Sequence, residues 1–206
     1  MRNIVQIILF SILLASCNLI SNSNSSSFTE TQQTVMKGTI KKELNQYFKD
    51  MNKGNWEGVM DRTYPEIFKY ASKEQMISIF SSLKEMGVDM FFKSFTLRSV
   101  SPPVYNGDEV FHRVFYNSVI DVKLSGMMAD NIEVFADEMR KTYGNGVTVD
   151  EEKDMVYIKG KSSMVAVSEK EKQEWTFLEF NESKTDFLKK LLTKKVYRSL
   201  KAFDEN

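Results

Sequence analysis

The spacing of apolar residues divides the chain into a polar stretch near residues 21–34 and a patterned region from residue 36 onward. Apolar residues in the patterned region first recur every three or four positions, which predicts amphipathic helices. Ser72 and Gln75 have the spacing of a capping box, and Gly87 and Gly144 are placed to end helices. The predicted helices cover residues 36–51, a short segment around Trp56, 72–86, 128–143 and a C-terminal segment that starts at Ser183.

Between the helical segments the apolar period shortens to two, which predicts β-strands. Asn106-Gly107 marks a turn before the longest strand candidate. One face of that strand carries Val114, Tyr116, Ser118, Ile120, Val122 and Leu124, and the other carries Phe111, Arg113, Phe115, Asn117, Val119 and Asp121. The strand predictions cover residues 91–100, 111–124, 147–149, 155–158, 164–167 and 175–180.

Helices and strands do not alternate along the chain, so a doubly wound parallel sheet is not expected. The order instead predicts a single α+β domain over residues 36–206, with helices packed on a curved, mainly antiparallel sheet. The segment 175–180 is apolar on both faces, which predicts a strand that is covered on both sides.

The N-terminus has the organisation of an export signal. Met1-Arg2-Asn3 precedes an apolar run over residues 4–14, which is shorter than the roughly 20 residues that a membrane-spanning helix needs. The next residues, Leu14-Ala15-Ser16-Cys17, resemble the lipobox of bacterial lipoproteins. The resemblance implies that residues 1–16 are a cleaved signal peptide and that Cys17 receives a diacylglycerol. The alternative is an ordinary secretory signal with an incidental cysteine.

Lipidation of Cys17 would fix where the protein resides. Residues 17–35 would form the lipidated cysteine and a disordered tether, because this Ser-, Asn- and Thr-rich stretch has too few apolar groups to pack. The expected partner is therefore a membrane, the cell membrane or the outer membrane, with the domain facing the periplasm or the exterior. Cys17 is the single cysteine of the chain, so no internal disulfide can form.

A second resemblance concerns the folded region. The N-terminal helix, the Trp56 segment with TYPEIF (63–68) and the closing EWTFLEFNES (174–183) look like parts of the nuclear transport factor 2-like, or cystatin-like cone, superfamily. The resemblance implies a cone-shaped sheet around a cavity. The predicted helix at 126–143 departs from the simplest cone. The superfamily contains isomerases, dehydratases and binding modules, so the resemblance alone does not select an activity.

Composition narrows the chemistry. Lys and Arg together number 28, as do Asp and Glu, so the basic surface typical of nucleic-acid binding is not expected. His112 is the only histidine. Histidine-rich metal sites are therefore excluded, and we expect neither a metal nor a cofactor.

Seven residues are candidates for a site within the domain. The candidate acid–base residues are Asp121, Glu179 and His112, because a carboxylate or imidazole inside a cavity can move protons once burial shifts its pKa. Glu179 shares a strand face with Trp175 and Phe177. His112 is also readable as an ordinary strand residue near a sheet end, partly exposed. The candidate ligand-binding residues are Trp56, Tyr64, Tyr116 and Trp175, which could equally be core.

Three functions are compatible with these features. The first is a non-catalytic lipoprotein domain that binds a small apolar ligand or an envelope protein. The second is a cofactor-free isomerase or hydrolyase that uses a carboxylate inside a cone-shaped cavity. The third is a structural envelope protein that contacts anionic lipid through the basic C-terminal segment, where Lys194 and Lys195 lie.

Overall fold

The computed structural model describes residues 30–170, Lys172 and residues 174–203. It confirms an α+β fold in which helices pack on an antiparallel sheet. The helices are α1 Glu30–Lys53, α2 Trp56–Asp61, α3 Lys73–Glu85, α4 Ile132–Tyr143, α5 Thr185–Leu191 and α6 Thr193–Lys201. The strands are β1 Val88–Val100, β2 Val104–Asn106, β3 Glu109–Leu124, β4 Val147–Asp150, β5 Met155–Glu169 and β6 Thr176–Glu179.

The long antiparallel pair β3–β5 forms the centre of the sheet, from Glu109 opposite Glu169 to Lys123 opposite Met155. Strands β1 and β2 pair with the free edge of β3, and β4 and β6 pair with the free edge of β5. The β1–β3 register shifts after Phe92 and again after Leu97. Such bulges bend a strand, which agrees with the predicted curvature.

The sheet face that carries Tyr116 is covered by α1 and α4. One apolar cluster joins Ile40 and Leu44 of α1 to Val114, Tyr116 and Phe177. A second joins α3 and α4 to the far end of β3, through Leu83, Phe135, Met139, Ile120 and Leu124 among others. Burying each such side chain contributes about 1.5–3 kcal/mol. All six residues predicted for this face of β3 are buried, which confirms the period-two prediction.

The opposite sheet face is covered by the C-terminal helices. Leu188 of α5 and Val196 and Leu200 of α6 pack in one cluster with Val165 and Leu178. A single helix starting at Ser183 was predicted, but helix begins at Thr185 and breaks before Thr193, whose φ is 59°. Strand β6 lies between this cluster and the α1 cluster, since Phe177 is 1% and Leu178 is 5% exposed. Both of its faces are covered, as predicted.

Several local predictions are confirmed. Ser72 and Gln75 form the capping box at the start of α3. Gly87 and Gly144 follow helices with φ of 89° and 51°, values that favour glycine. Within the described residues, no helix combines the length and apolar character needed to cross a bilayer.

The start of α1 differs from the predicted domain boundary. The helix begins at Glu30, so residues 30–35 are helical where a disordered tether was expected. The predicted signal peptide, Cys17 and the tether up to residue 29 lie outside the described residues.

Candidate functional site

Glu179 is the last residue of β6, and two backbone contacts hold the strand that carries it. Phe177 N donates to Arg62 O at 2.7 Å, and Tyr64 N donates to Phe177 O at 2.9 Å. On its other edge β6 pairs with β5, with Glu179 opposite Met164. Alternation along the strand places Glu179 on the face of Phe177, which α1 covers. The carboxyl group is therefore directed into the domain.

Three tyrosines from different elements lie within electrostatic range of this carboxyl group. Tyr47 comes from α1, Tyr116 from β3, and Tyr143 from the last position of α4. Tyr47 packs with the α1 cluster and Tyr143 with the α4 cluster, so the group lies where the two clusters meet. We call Glu179, Tyr47, Tyr116, Tyr143 and the neighbouring Ser162 the Glu179 site.

The tyrosines of the Glu179 site are held in their neutral, hydrogen-donating form. Burial raises the pKa of Tyr47 to about 12, with Glu179 adding to the shift and Thr63 opposing it. Burial and then Glu179 also raise the pKa of Tyr116 and Tyr143 well above the ordinary value, while Ser162 opposes both shifts. Near neutral pH the site therefore presents phenol hydroxyls rather than phenolates.

Glu179 itself has the pKa of a group that titrates near neutral pH. Burial raises its pKa to about 7, and the charge of Lys184 opposes that rise. Burial lowers the pKa of Lys184 in turn. Among the described side chains, none forms a hydrogen bond or an ion pair with the Glu179 carboxyl group. The carboxyl group is thus desolvated without a compensating internal partner.

The Glu179 site remains open to small molecules. Glu179, Tyr47 and Tyr143 are enclosed by protein atoms. Each of them nevertheless keeps part of its surface accessible, as does Ser162, while Tyr116 is buried. A side chain that is both enclosed and partly accessible lines a recess rather than the outer surface. The polar groups of the site therefore converge on a recess that water or a small ligand can enter.

Aromatic packing forms the wall of this recess. The ring of Phe48 lies 5.7 Å from the rings of Tyr47 and Tyr116, and Tyr47 also lies 5.9 Å from Phe177. Tyr143 lies directly over Gly160 of β5, where any Cβ atom would collide with the tyrosine ring. The apolar wall lowers the local dielectric constant and accounts for the burial that shifts the pKa of Glu179.

Of the seven predicted site residues, the structure brings Tyr116 and Glu179 together. His112 was read as a partly exposed residue near a sheet end, but it is 1% exposed. Its Nδ1 lies 2.8 Å from Ser101 O, and burial lowers its pKa. Its ring packs edge-on against Trp175, 5.6 Å away, and Trp175 Nε1 donates to Thr39 Oγ1 at 3.1 Å. These contacts make His112 and Trp175 packing residues.

The remaining three candidates lie elsewhere. Asp121 faces away from Tyr116 on β3, and its Oδ2 lies 3.8 Å from Lys93 Nζ. Trp56 stacks on Phe80 with ring centroids 5.1 Å apart, between α2 and α3. The Tyr64 hydroxyl donates to Glu109 Oε1 at 3.2 Å, and Tyr64 packs with the C-terminal helices. The four aromatic candidates therefore do not form one ligand site.

Sequence reasoning missed Tyr47, Tyr143, Ser162 and Lys184. Tyr47 and Tyr143 fall on the buried stripes of predicted helices, where a tyrosine reads as core. A usable signal was Gly160, since a glycine inside a strand often marks the close approach of another group. That group is Tyr143.

Comparison with known proteins gives no relative. No protein-family model matches the sequence, and no curated protein matches it significantly. Among the described residues, no group of three or more His, Cys, Asp or Glu side chains is arranged to hold a metal ion. The function of the chain is therefore inferred from its own site.

Proposed function

We propose that this chain is an exported bacterial lipoprotein anchored through Cys17, and that its α+β domain is a non-catalytic module that binds a small ligand at the Glu179 site. One observation carries the binding proposal. A carboxyl group without an internal partner lies in an accessible, tyrosine-lined recess. Recesses with apolar walls and a few convergent polar groups are the usual form of small-molecule sites.

The energetics favour a ligand over a purely structural role. Burying a polar group without a hydrogen bond costs about 1–3 kcal/mol on protein scales. Domains are stable by only about 5–15 kcal/mol, so this is a considerable fraction of the total. A ligand that bonds to Glu179 would recover that free energy on binding. Groups with strongly shifted pKa values in recesses cluster at functional sites for this reason.

The binding proposal is tested with a panel of fragments of about ten heavy atoms, neutral, acidic and basic, followed by NMR and thermal shift. We expect hits to perturb the signals of Tyr47, Tyr116, Tyr143 and Glu179. Binding should weaken in Glu179→Gln and Tyr116→Phe. Asp121→Asn, a carboxylate on the opposite sheet face, is the matched control and should bind normally. A panel without hits at this site would overturn the proposal.

The anchor is tested separately. Intact-mass analysis of protein from the membrane fraction should show an acylated N-terminal Cys17 and the loss of residues 1–16. Cys17→Ser should release the domain from membranes without changing its fold. An unmodified thiol, or cleavage further downstream, would contradict the lipoprotein assignment and leave the binding proposal intact.

A second candidate function is a cofactor-free isomerase or hydrolyase with Glu179 as the proton carrier. The observation in its favour is the pKa of about 7 beside phenol hydroxyls, because acid–base catalysis is most effective when the pKa lies near the working pH. Deuterium incorporation from D₂O into a panel of ketones and β-hydroxy acids would identify it. Exchange that is lost in Glu179→Gln would establish an enzyme, whereas binding without exchange would establish the module.

A further inference from the structure

We propose that the Glu179 site takes a small organic cation, an ammonium group seated between the carboxylate of Glu179 and the surrounding tyrosine rings. This inference deepens the proposed binding function and rests on it. Its starting point is geometric. The carboxyl group is directed into a recess whose walls come from α1, β3 and α4, and the described side chains offer it no ion pair.

The charges that face the recess favour a cation. From α1, β3 and α4 the facing ionisable groups are Tyr47, Tyr116 and Tyr143, which all stay neutral. From β6 comes Glu179. The remaining charged group is Lys184, in the turn after β6 and beyond ion-pair distance from the carboxylate. A ligand ammonium would supply the close counter-charge that the described residues do not.

The aromatic wall supports the same class of ligand. The faces of tyrosine and phenylalanine rings carry negative electrostatic potential and attract cations, most strongly where water is excluded. Tyr47, Tyr116 and Phe48 form a continuous aromatic surface, with ring centroids 5.7 Å apart for each pair that includes Phe48. An anionic ligand would meet the carboxylate of Glu179, and a neutral ligand would gain nothing from its charge.

Occupation by a cation should be coupled to proton release. Below pH 7 Glu179 is mostly protonated, and a cation binds best to the ionised form. Binding therefore expels the proton to solvent. Affinity should rise about tenfold from pH 6 to pH 8 and then level off, because the ionised fraction rises by that factor around a pKa of about 7. Lys184 opposes the ligand, so Lys184→Met should bind cations more tightly at pH 8.5.

The test compares probes that differ only in charge. Choline and 3,3-dimethylbutan-1-ol have the same shape, with nitrogen in one where the other has carbon. Butylammonium and 1-pentanol form a second, smaller pair. Calorimetry at pH 6 and pH 8, in buffers of different ionisation enthalpy, gives the affinity and the number of protons released.

We expect at least one cation to bind ten times more tightly than its neutral partner at pH 8. Close to one proton should be released at pH 6. Glu179→Gln should abolish both the preference and the proton release, Tyr143→Phe should weaken binding, and Asp121→Asn should do neither. Equal affinity for cation and neutral partner would overturn the cation inference while leaving a binding site. Absence of binding by every probe and by the fragment panel would overturn both proposals.

Discussion

Two buried charges lie on opposite faces of the same sheet and differ in their partners. Arg113, on the face of the C-terminal helices, lies 4.7 Å from the Phe115 ring and 4.3 Å from the Phe180 ring. It donates to Phe203 O at 3.0 Å, and its guanidinium lies 3.6 Å from Glu182. Glu179 lies on the opposite face, one residue before Phe180, without any such partner among the described side chains.

The contrast separates a structural charge from a functional one. Arg113 ties β3 to the turn before α5 and to the residues after α6, so its contacts hold the C-terminal helices on the sheet. Glu179 lowers stability when it is ionised and is placed where a ligand can reach it. Replacing the first should therefore damage the fold, and replacing the second should spare the fold and damage binding.

The largest expected effect is that of Arg113→Met. The substitution removes a desolvated cation with its two ring contacts, its hydrogen bonds and its ion pair, so we expect the free energy of unfolding to fall by about 3 kcal/mol or more. Urea unfolding measures this change. Arg140→Met, which breaks exposed ion pairs to Glu133 and Asp137, is the control and should lose less than about 1 kcal/mol. Equal losses would remove the structural half of the comparison.

The next effect is a pH dependence that Glu179→Gln should remove. The folded protein holds the Glu179 proton with a pKa of about 7, whereas an unfolded glutamate has a pKa of about 4.3. The stability that comes from this protonation is complete below the unfolded value and is lost as the pH rises through the folded value. Between pH 4 and pH 8 wild type should lose roughly 3 kcal/mol relative to Glu179→Gln, measured by urea unfolding. Parallel pH profiles would show that Glu179 is not a desolvated acid.

A smaller effect is expected for Gly160→Ala. The new methyl group would collide with Tyr143, and overpacking of this kind costs about 1–3 kcal/mol. The displaced ring should also weaken ligand binding at the Glu179 site. Gly38→Ala in α1 is the control, because its methyl group would meet no atom within 4 Å and should raise stability by about 0.5–1 kcal/mol. Unfolding curves and ligand titrations of both variants decide whether Tyr143 shapes the site.

The smallest effect is expected for Asp121→Asn. The ion pair of Asp121 with Lys93 spans 3.8 Å, and the lysine is mostly exposed. Exposed pairs contribute about 0–1 kcal/mol, so stability should change by less than that. Binding at the Glu179 site should not change. A loss of binding in this variant would mean that the carboxylate on the opposite face matters as well.

The sequence predicted the features that depend on local periodicity. The buried face of β3 followed from period-two alternation, and the α+β class followed from the order of helices and strands. Glu179 became a candidate because alternation placed it with Phe177. The break before Thr193 could not be predicted, because neither glycine nor proline marks it.

The site itself depends on contacts between distant parts of the chain. Tyr47, Tyr143 and Glu179 converge because α1 and α4 pack side by side across β3, β5 and β6. Nothing in the residues around Tyr143 indicates that it will lie over Gly160. Lipidation of Cys17 and the resemblance to the cone superfamily stay predictions.

A carbon-13 NMR titration of the side-chain carboxyl groups measures the Glu179 pKa directly, with Glu179→Gln assigning the signal. We predict a midpoint near pH 7, which should fall when an ammonium probe is added. A midpoint near the ordinary value of about 4.3, unchanged by any probe, would contradict the account.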